Sequence, residues 1–116
     1  MQAIRKAKEL MQKVGIAGLE DRKISEVSGG QLQRAGICRA LMNDPKILFA
    51  DEPTGALNRS ASEEVMKEFS GLNTEGMSIL IVTHDSKVAS YCERVLYLLD
   101  GKIAGEYVAE KEMKRE

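Results

Sequence analysis

The sequence predicts an α/β fold in which parallel strands alternate with helices and a β-hairpin follows at the C-terminal end. Two short apolar runs, residues 47–50 and 79–82, are bounded by polar residues and predict strands buried on both faces, as in parallel sheets. Between them, residues 60–72 place apolar side chains at helical spacing. Asp100-Gly101 separates two further apolar runs, which is a strong hairpin signal.

The remaining elements follow from the same patterns. Apolar residues between 2 and 14 form the stripe of an amphipathic helix, and Gly15 is placed to end it. After a less regular stretch, residues 31–42 predict a second helix, which an Asn-Asp-Pro sequence stops. A short helix over 86–92 precedes the hairpin, and the charged residues 110–116 predict a solvated helix end or a frayed tail.

Composition limits the classes of partner. Seventeen basic and eighteen acidic side chains give a formal charge of -1, so nothing electrostatic favours nucleic acid or an anionic membrane surface. No apolar run approaches the roughly 18 residues that a membrane span needs, and we expect a cytoplasmic chain. Cys38 and Cys92 lie far apart in no metal-ligand spacing, which favours small buried apolar side chains over a disulfide or a redox role.

Four residues at the start of the second predicted helix, Ser28, Gly29, Gly30 and Gln31, predict an anion-binding segment. The glycines allow a ligand close to the backbone, and the serine offers a hydroxyl. The first N–H groups of the helix and its positive dipole end point towards the same place. The alternative is an ordinary N-cap serine after a flexible loop.

Polar side chains also follow both predicted parallel strands. Asp51 and Glu52 end the first, and His84 follows the second. Ligands gather at the carboxyl ends of parallel strands, where Asp51 would suit Mg²⁺, Glu52 a water and His84 a phosphate oxygen. The alternatives are a pair of acids that caps a loop and a histidine that only makes structural hydrogen bonds.

Taken in order, these segments resemble the ABC ATPases. Their succession and spacing match the signature motif, Walker B strand, D-loop and H-switch of that family. The residues that carry the resemblance are Val-Ser-Gly-Gly-Gln-Leu-Gln-Arg at 27–34, Ala-Leu at 40–41, Asp-Pro at 44–45, the apolar strand and Asp-Glu at 47–52, Pro-Thr-Gly-Ala-Leu-Asn at 53–58 and Val-Thr-His-Asp at 82–85. The resemblance covers nearly the whole chain and implies a partial P-loop NTPase fold, the C-terminal part of an ABC ATPase domain.

The resemblance also implies a role for each motif with ATP and Mg²⁺. The segment from Ser28 to Gln31 would bind the γ-phosphate of an ATP held mainly by a second nucleotide-binding domain. Asp51 would hold Mg²⁺ through water, and Glu52 would be the general base for the attacking water. His84 would bridge the γ-phosphate and the partner's D-loop.

The D-loop of this chain departs from the family's usual pattern. It contains Ala56, Leu57 and Asn58, whereas most members end this loop in aspartate. Asparagine keeps the size and an acceptor oxygen but loses the charge. We therefore expect altered coupling across the dimer, with the chemistry of hydrolysis retained.

The phosphate-binding loop of such enzymes, Gly-x-x-x-x-Gly-Lys-Ser/Thr, does not occur in the chain. The one Gly-Lys pair, Gly101-Lys102, has Leu96 where the first glycine belongs and Ile103 where the hydroxyl residue belongs. The resemblance thus implies one incomplete domain, with a helical signature segment at 1–45 and the Walker B, D-loop and H-switch part at 46–116. We expect the chain alone neither to bind ATP tightly nor to hydrolyse it, and to self-associate through unpaired strand edges.

Three interpretations stay open. The first is part of a transporter ATPase that serves a membrane permease, and the run at 53–58 is closest to bacterial exporters of peptide antibiotics, macrolides or lipoproteins. The second is a non-transport ATPase of repair or translation, from which Gln31 and the D-loop sequence point away. The third is a non-catalytic module that docks on a complete nucleotide-binding domain.

Overall fold

The computed structural model describes residues 2–19, 21–23 and 27–109, and the chain divides into two compact units, Met1–Val82 and Thr83–Glu116. The predicted charged tail at 110–116 lies outside the described residues. Of the helices in the described ranges, none is both long enough and apolar enough to cross a membrane.

The helices and strands confirm the predicted α/β class. The first unit contains α1 (Gln2–Lys13), α2 (Gly29–Leu41), β1 (Ile47–Asp51), α3 (Arg59–Thr74) and β2 (Ser78–Val82). The second contains α4 (Ser86–Ala89), β3 (Arg94–Leu99) and β4 (Lys102–Val108). Gly15 follows α1 with a φ of 81°, a left-handed conformation that suits glycine and ends a helix.

β1 and β2 form a parallel pair, as the two apolar runs predicted. The register pairs Ile47 with Ser78 and continues to Asp51 opposite Val82. Within the described residues this sheet has two strands, so each has one edge without a strand neighbour. An edge of this kind presents backbone N–H and C=O groups that another strand can pair with.

The prediction that these strands are buried on both faces is wrong. Side chains alternate between the faces of a strand, and only one face is covered. Leu48 is 6% exposed and lies by a groove lined by α2 residues and Phe69 of α3. On the other face Phe49 is 73% exposed. An apolar run therefore indicates that both faces are apolar, without specifying what covers them.

The core of the first unit lies between the helices. Val14, just after α1, and Val65 of α3 are fully buried. The predicted inner face of α3 is confirmed, because Val65, Met66, Phe69 and Leu72 are all buried. Cys38 of α2 belongs to this core, as the sequence predicted, and its burial, with the charge of Glu68, raises the pKa of the thiol.

The second unit contains the predicted hairpin. β3 and β4 are antiparallel, with Leu99 opposite Lys102 on either side of the turn. Asp100 and Gly101 adopt φ values of 51° and 78°. Positive φ at both central residues is what a type I′ turn requires, and Asp-Gly meets that requirement at little cost.

Candidate functional site

The start of α2 is fixed by a capping box. Ser28 Oγ accepts a hydrogen bond from the Gln31 backbone N–H at 3.0 Å. In return Gln31 Oε1 accepts one from the Ser28 N–H at 2.9 Å. Because the serine oxygen is the acceptor here, its own proton remains available to donate to a ligand. The N-cap interpretation is thus correct, and it is compatible with an anion-binding helix start.

The two glycines of this segment bring α2 close to the chain that follows β1. A Cβ built at Gly29 would lie 2.9 Å from Leu57 Cδ2, and one at Gly30 would lie 3.2 Å from Ala61 Cβ. The sequence predicted glycines that let a ligand approach. The structure adds that they let two parts of the protein approach each other.

Arg34 holds α2 in place, a role that the sequence did not predict. Its side chain is 14% exposed and pairs with Glu64 of α3 at 3.1 Å. The guanidinium also donates to the backbone oxygens of Gly30, at 3.4 Å, and Val14, at 3.5 Å. A single side chain therefore connects α2 with α3 and with the residue after α1. The only sequence feature that pointed to Arg34 was its place in the signature segment at 27–34.

Asp51 and Glu52 lie at the carboxyl end of β1, as predicted. Asp51 is exposed and belongs to the open face of the strand. Glu52 has a φ of 49°, in the left-handed region that glutamate rarely adopts. Its N–H donates to Val82 O at 2.7 Å, so the end of β2 fixes this backbone. Conformations of this kind often mark functional sites.

The predicted D-loop is a turn held at both ends. Near its start the Gly55 N–H donates to Glu52 O at 3.1 Å, and the Leu57 N–H donates to Thr54 O at 3.1 Å. At its end Asn58 is the N-cap of α3, and its Oδ1 accepts from the Ala61 N–H at 2.8 Å. The loop therefore leads from the carboxylates directly to the contact with α2.

His84 belongs to the second unit and is exposed. It lies between Thr83 and Asp85. Thr83 Oγ1 accepts a hydrogen bond from the Asp85 N–H at 3.0 Å, and Asp85 Oδ1 accepts one from the Lys87 N–H at 2.8 Å, which caps α4. These bonds fix the backbone that follows the histidine. Its action together with Asp51 and Glu52 stays a prediction.

Comparison with known proteins agrees with these motifs. A family model described as ABC transporter matches residues 2–55. A macrolide export ATP-binding/permease protein (MacB) of Chromobacterium violaceum is 47% identical over 98 residues, which are 84% of this chain and 15% of the relative. The chain belongs to the ABC transporter family.

Solved structures of ABC transporter cassettes share the fold. The ADP conformation of MJ1267, an ATP-binding cassette, superposes with a TM-score of 0.89 at 28% identity, over 99% of this chain and 46% of that one. A dimeric post-hydrolysis state of the cassette MJ0796, bound to ADP and Pi, gives a TM-score of 0.72 at 39% identity, over 90% of this chain and 46% of that one. The ABC chain described here thus spans less than half the length of either cassette.

The donor set of this ABC chain fits a magnesium ion that is bound mainly by other groups. Across the described ranges no group of three His, Cys, Asp or Glu side chains is placed to hold a metal. Mg²⁺ in phosphate-binding enzymes typically takes one or two carboxylates and keeps several waters. The single exposed carboxylate of Asp51 suits a contact of that kind.

We predict that the cap at Asn58 contributes measurably to the stability of this ABC chain. Asn58→Ala removes the acceptor for the Ala61 N–H and should lower the free energy of unfolding by about 1 kcal/mol. Asn58→Asp keeps the acceptor and adds a charge that the N-terminus of α3 favours, so it should stay within about 0.5 kcal/mol of the parent. Urea denaturation of the three proteins measures both changes. Equal stabilities for the alanine and aspartate variants would contradict the capping role.

Proposed function

We propose that this chain is the C-terminal part of an ABC transporter ATPase subunit, which couples ATP binding and hydrolysis to transport across a membrane. One observation carries the proposal. The Ser28 helix start contacts the D-loop at Leu57, and that loop begins at the strand end that bears Asp51 and Glu52. The signature segment, the D-loop and the carboxylates after β1, all expected to take part in ATP binding and hydrolysis, thus belong to one compact unit.

In this proposal each group acts on the γ-phosphate end of ATP. The Ser28 hydroxyl and the first amides of α2 donate hydrogen bonds to phosphate oxygens of an ATP held mainly by the second nucleotide-binding domain. Asp51 would hold Mg²⁺ through water, and the ion would supply positive charge beside phosphate oxygens. Glu52 accepts a proton from the attacking water, and His84 donates a hydrogen bond to the developing charge.

The proposed partners are a second nucleotide-binding domain and a membrane permease. The solved dimer of MJ0796 with ADP and Pi supports the first, and the name of the MacB relative, an ATP-binding/permease protein, supports the second. Macrolides, peptide antibiotics and lipoproteins are the candidate substrates. The chain would then work at the cytoplasmic side of the membrane, bound to it through the permease.

We predict that the chain alone does not hydrolyse ATP, because the lysine and amides of a Walker A loop are the main contacts to the β- and γ-phosphates. Phosphate release from the purified chain should equal that of buffer. A joined cassette, in which the first half of a related ABC cassette precedes this chain, should hydrolyse ATP at about 1 s⁻¹ or faster. A rate of that size from the chain alone, or none from a correctly folded joined cassette, would contradict the proposal.

A second candidate function is a non-catalytic module that offers the Ser28 helix start to the ATP of a complete cassette. The capping box favours it, since this start is formed within the chain itself. ATP should then increase co-purification with a complete cassette, and Ser28→Arg should abolish that increase. Ser70→Arg, at an exposed position of α3, is the matched control. Co-purification that is indifferent to ATP would remove this candidate.

A further inference from the structure

The backbone conformation of residue 29 does not require glycine. Among the described residues, the glycines with positive φ are Gly15, Gly18, Gly76 and Gly101. Gly29 begins α2 in a conformation open to any residue. A side chain there would displace a neighbour, because Leu57 Cδ2 would lie 2.9 Å from the added Cβ. Carbon atoms of well-packed proteins are not found that close.

The contact joins two segments that also approach each other at Gly30 and Ala61, and each backbone has hydrogen bonds of its own. The backbone of the D-loop is fixed by its own turn, through the Leu57 N–H, and by the cap at Asn58. The start of α2 is fixed by the Ser28 capping box and by Arg34. The Leu57 side chain reaches from the first segment onto the second. A displacement of this side chain would therefore change the position of the D-loop relative to the start of α2.

We propose that Leu57 is a positioning residue that couples the D-loop to the Ser28 helix start, and that a side chain at residue 29 would displace Leu57 from this contact. Leu57 Cδ2 is the end of a flexible side chain, so it yields to an added methyl group at small cost in stability. The effect of such a change is on the position of the D-loop. The contact is a property of the first unit, and only its catalytic consequence rests on the proposed function.

The test is a double-mutant cycle on the full chain, read by hydrogen exchange of the segment 54–61. Gly29→Ala should speed exchange there by about threefold or more, because the displaced Leu57 loosens the turn. In a Leu57→Ala background the Cδ2 atom is absent and the added Cβ of residue 29 has no clash there. Gly29→Ala should then cause no further change in the exchange rate of residues 54–61. Gly36→Ala is the control, since it lies in the same helix and its Cβ meets nothing within 4 Å.

A second arm uses the joined cassette and separates catalysis from nucleotide binding. Gly29→Ala should lower kcat with little change in the KM for ATP, and should lower it far less when residue 57 is alanine. Equal losses in both backgrounds, or unchanged exchange in Gly29→Ala, would overturn the coupling. A joined cassette without hydrolysis, combined with the non-additive exchange cycle, would refute the proposed function and support the coupling.

Discussion

Replacing Phe69 by alanine should lower the free energy of unfolding by about 3–5 kcal/mol. Phe69 is 5% exposed and lies on the inner face of α3, beside the groove that holds Leu48 of β1. Its removal would leave a cavity between a helix and the covered face of the sheet. Domains are typically stable by only about 5–15 kcal/mol, so this variant should be close to unfolding at 25 °C. Urea denaturation followed by circular dichroism measures the loss.

The chain contains one other phenylalanine, which serves as the matched control. Phe49 lies on the open face of β1 and is 73% exposed. Phe49→Ala should change the free energy of unfolding by about 0.5 kcal/mol or less. Equal destabilisation by the two substitutions would contradict the observed difference in burial.

These two phenylalanines show what the sequence could and could not predict. The spacing of Phe69 with its neighbours on α3 is a helical period, and a period specifies one inward face. Phe49 belongs to an unbroken apolar run, which has no period and so does not specify which face is covered. The parallel pairing was predictable from the succession of strand, helix and strand, and the Asp100-Gly101 turn from its local sequence. Coverage of the sheet depends on residues distant in sequence.

The candidate site divides in the same way. The Ser28 helix start and the carboxylates after β1 follow from local rules on helix caps and strand ends, and the structure places them as predicted. The contact of Gly29 with Leu57 and the bonds of Arg34 to Val14 and Glu64 join residues far apart in the chain. No local pattern encodes such contacts. The left-handed backbone of Glu52 was also missed, since glutamate carries no turn signal.

The largest catalytic effect is expected from Glu52→Gln in the joined cassette. Glutamine cannot accept a proton from the attacking water, and loss of a general base typically costs about 10²–10⁴-fold in rate. The substitution keeps the size of the side chain and adds no new strain at a φ of 49°. Binding of ATP should be retained, because the proposed contacts to its phosphates come from other residues. Single-turnover hydrolysis and nucleotide-binding titrations measure the two properties separately.

Removing the charge of another glutamate shows whether the loss of hydrolysis is specific to Glu52. Glu63 is exposed on α3, where it pairs with Arg59 at 3.6 Å, and Glu63→Gln should leave hydrolysis unchanged. Glu52→Gly adds a second comparison, since glycine relieves the left-handed backbone while also removing the base. If Glu52 acts only through its conformation, the glycine variant should hydrolyse ATP better than the glutamine variant. If Glu52 is the base, both variants should lose about 10²–10⁴-fold in rate, whatever their difference in stability.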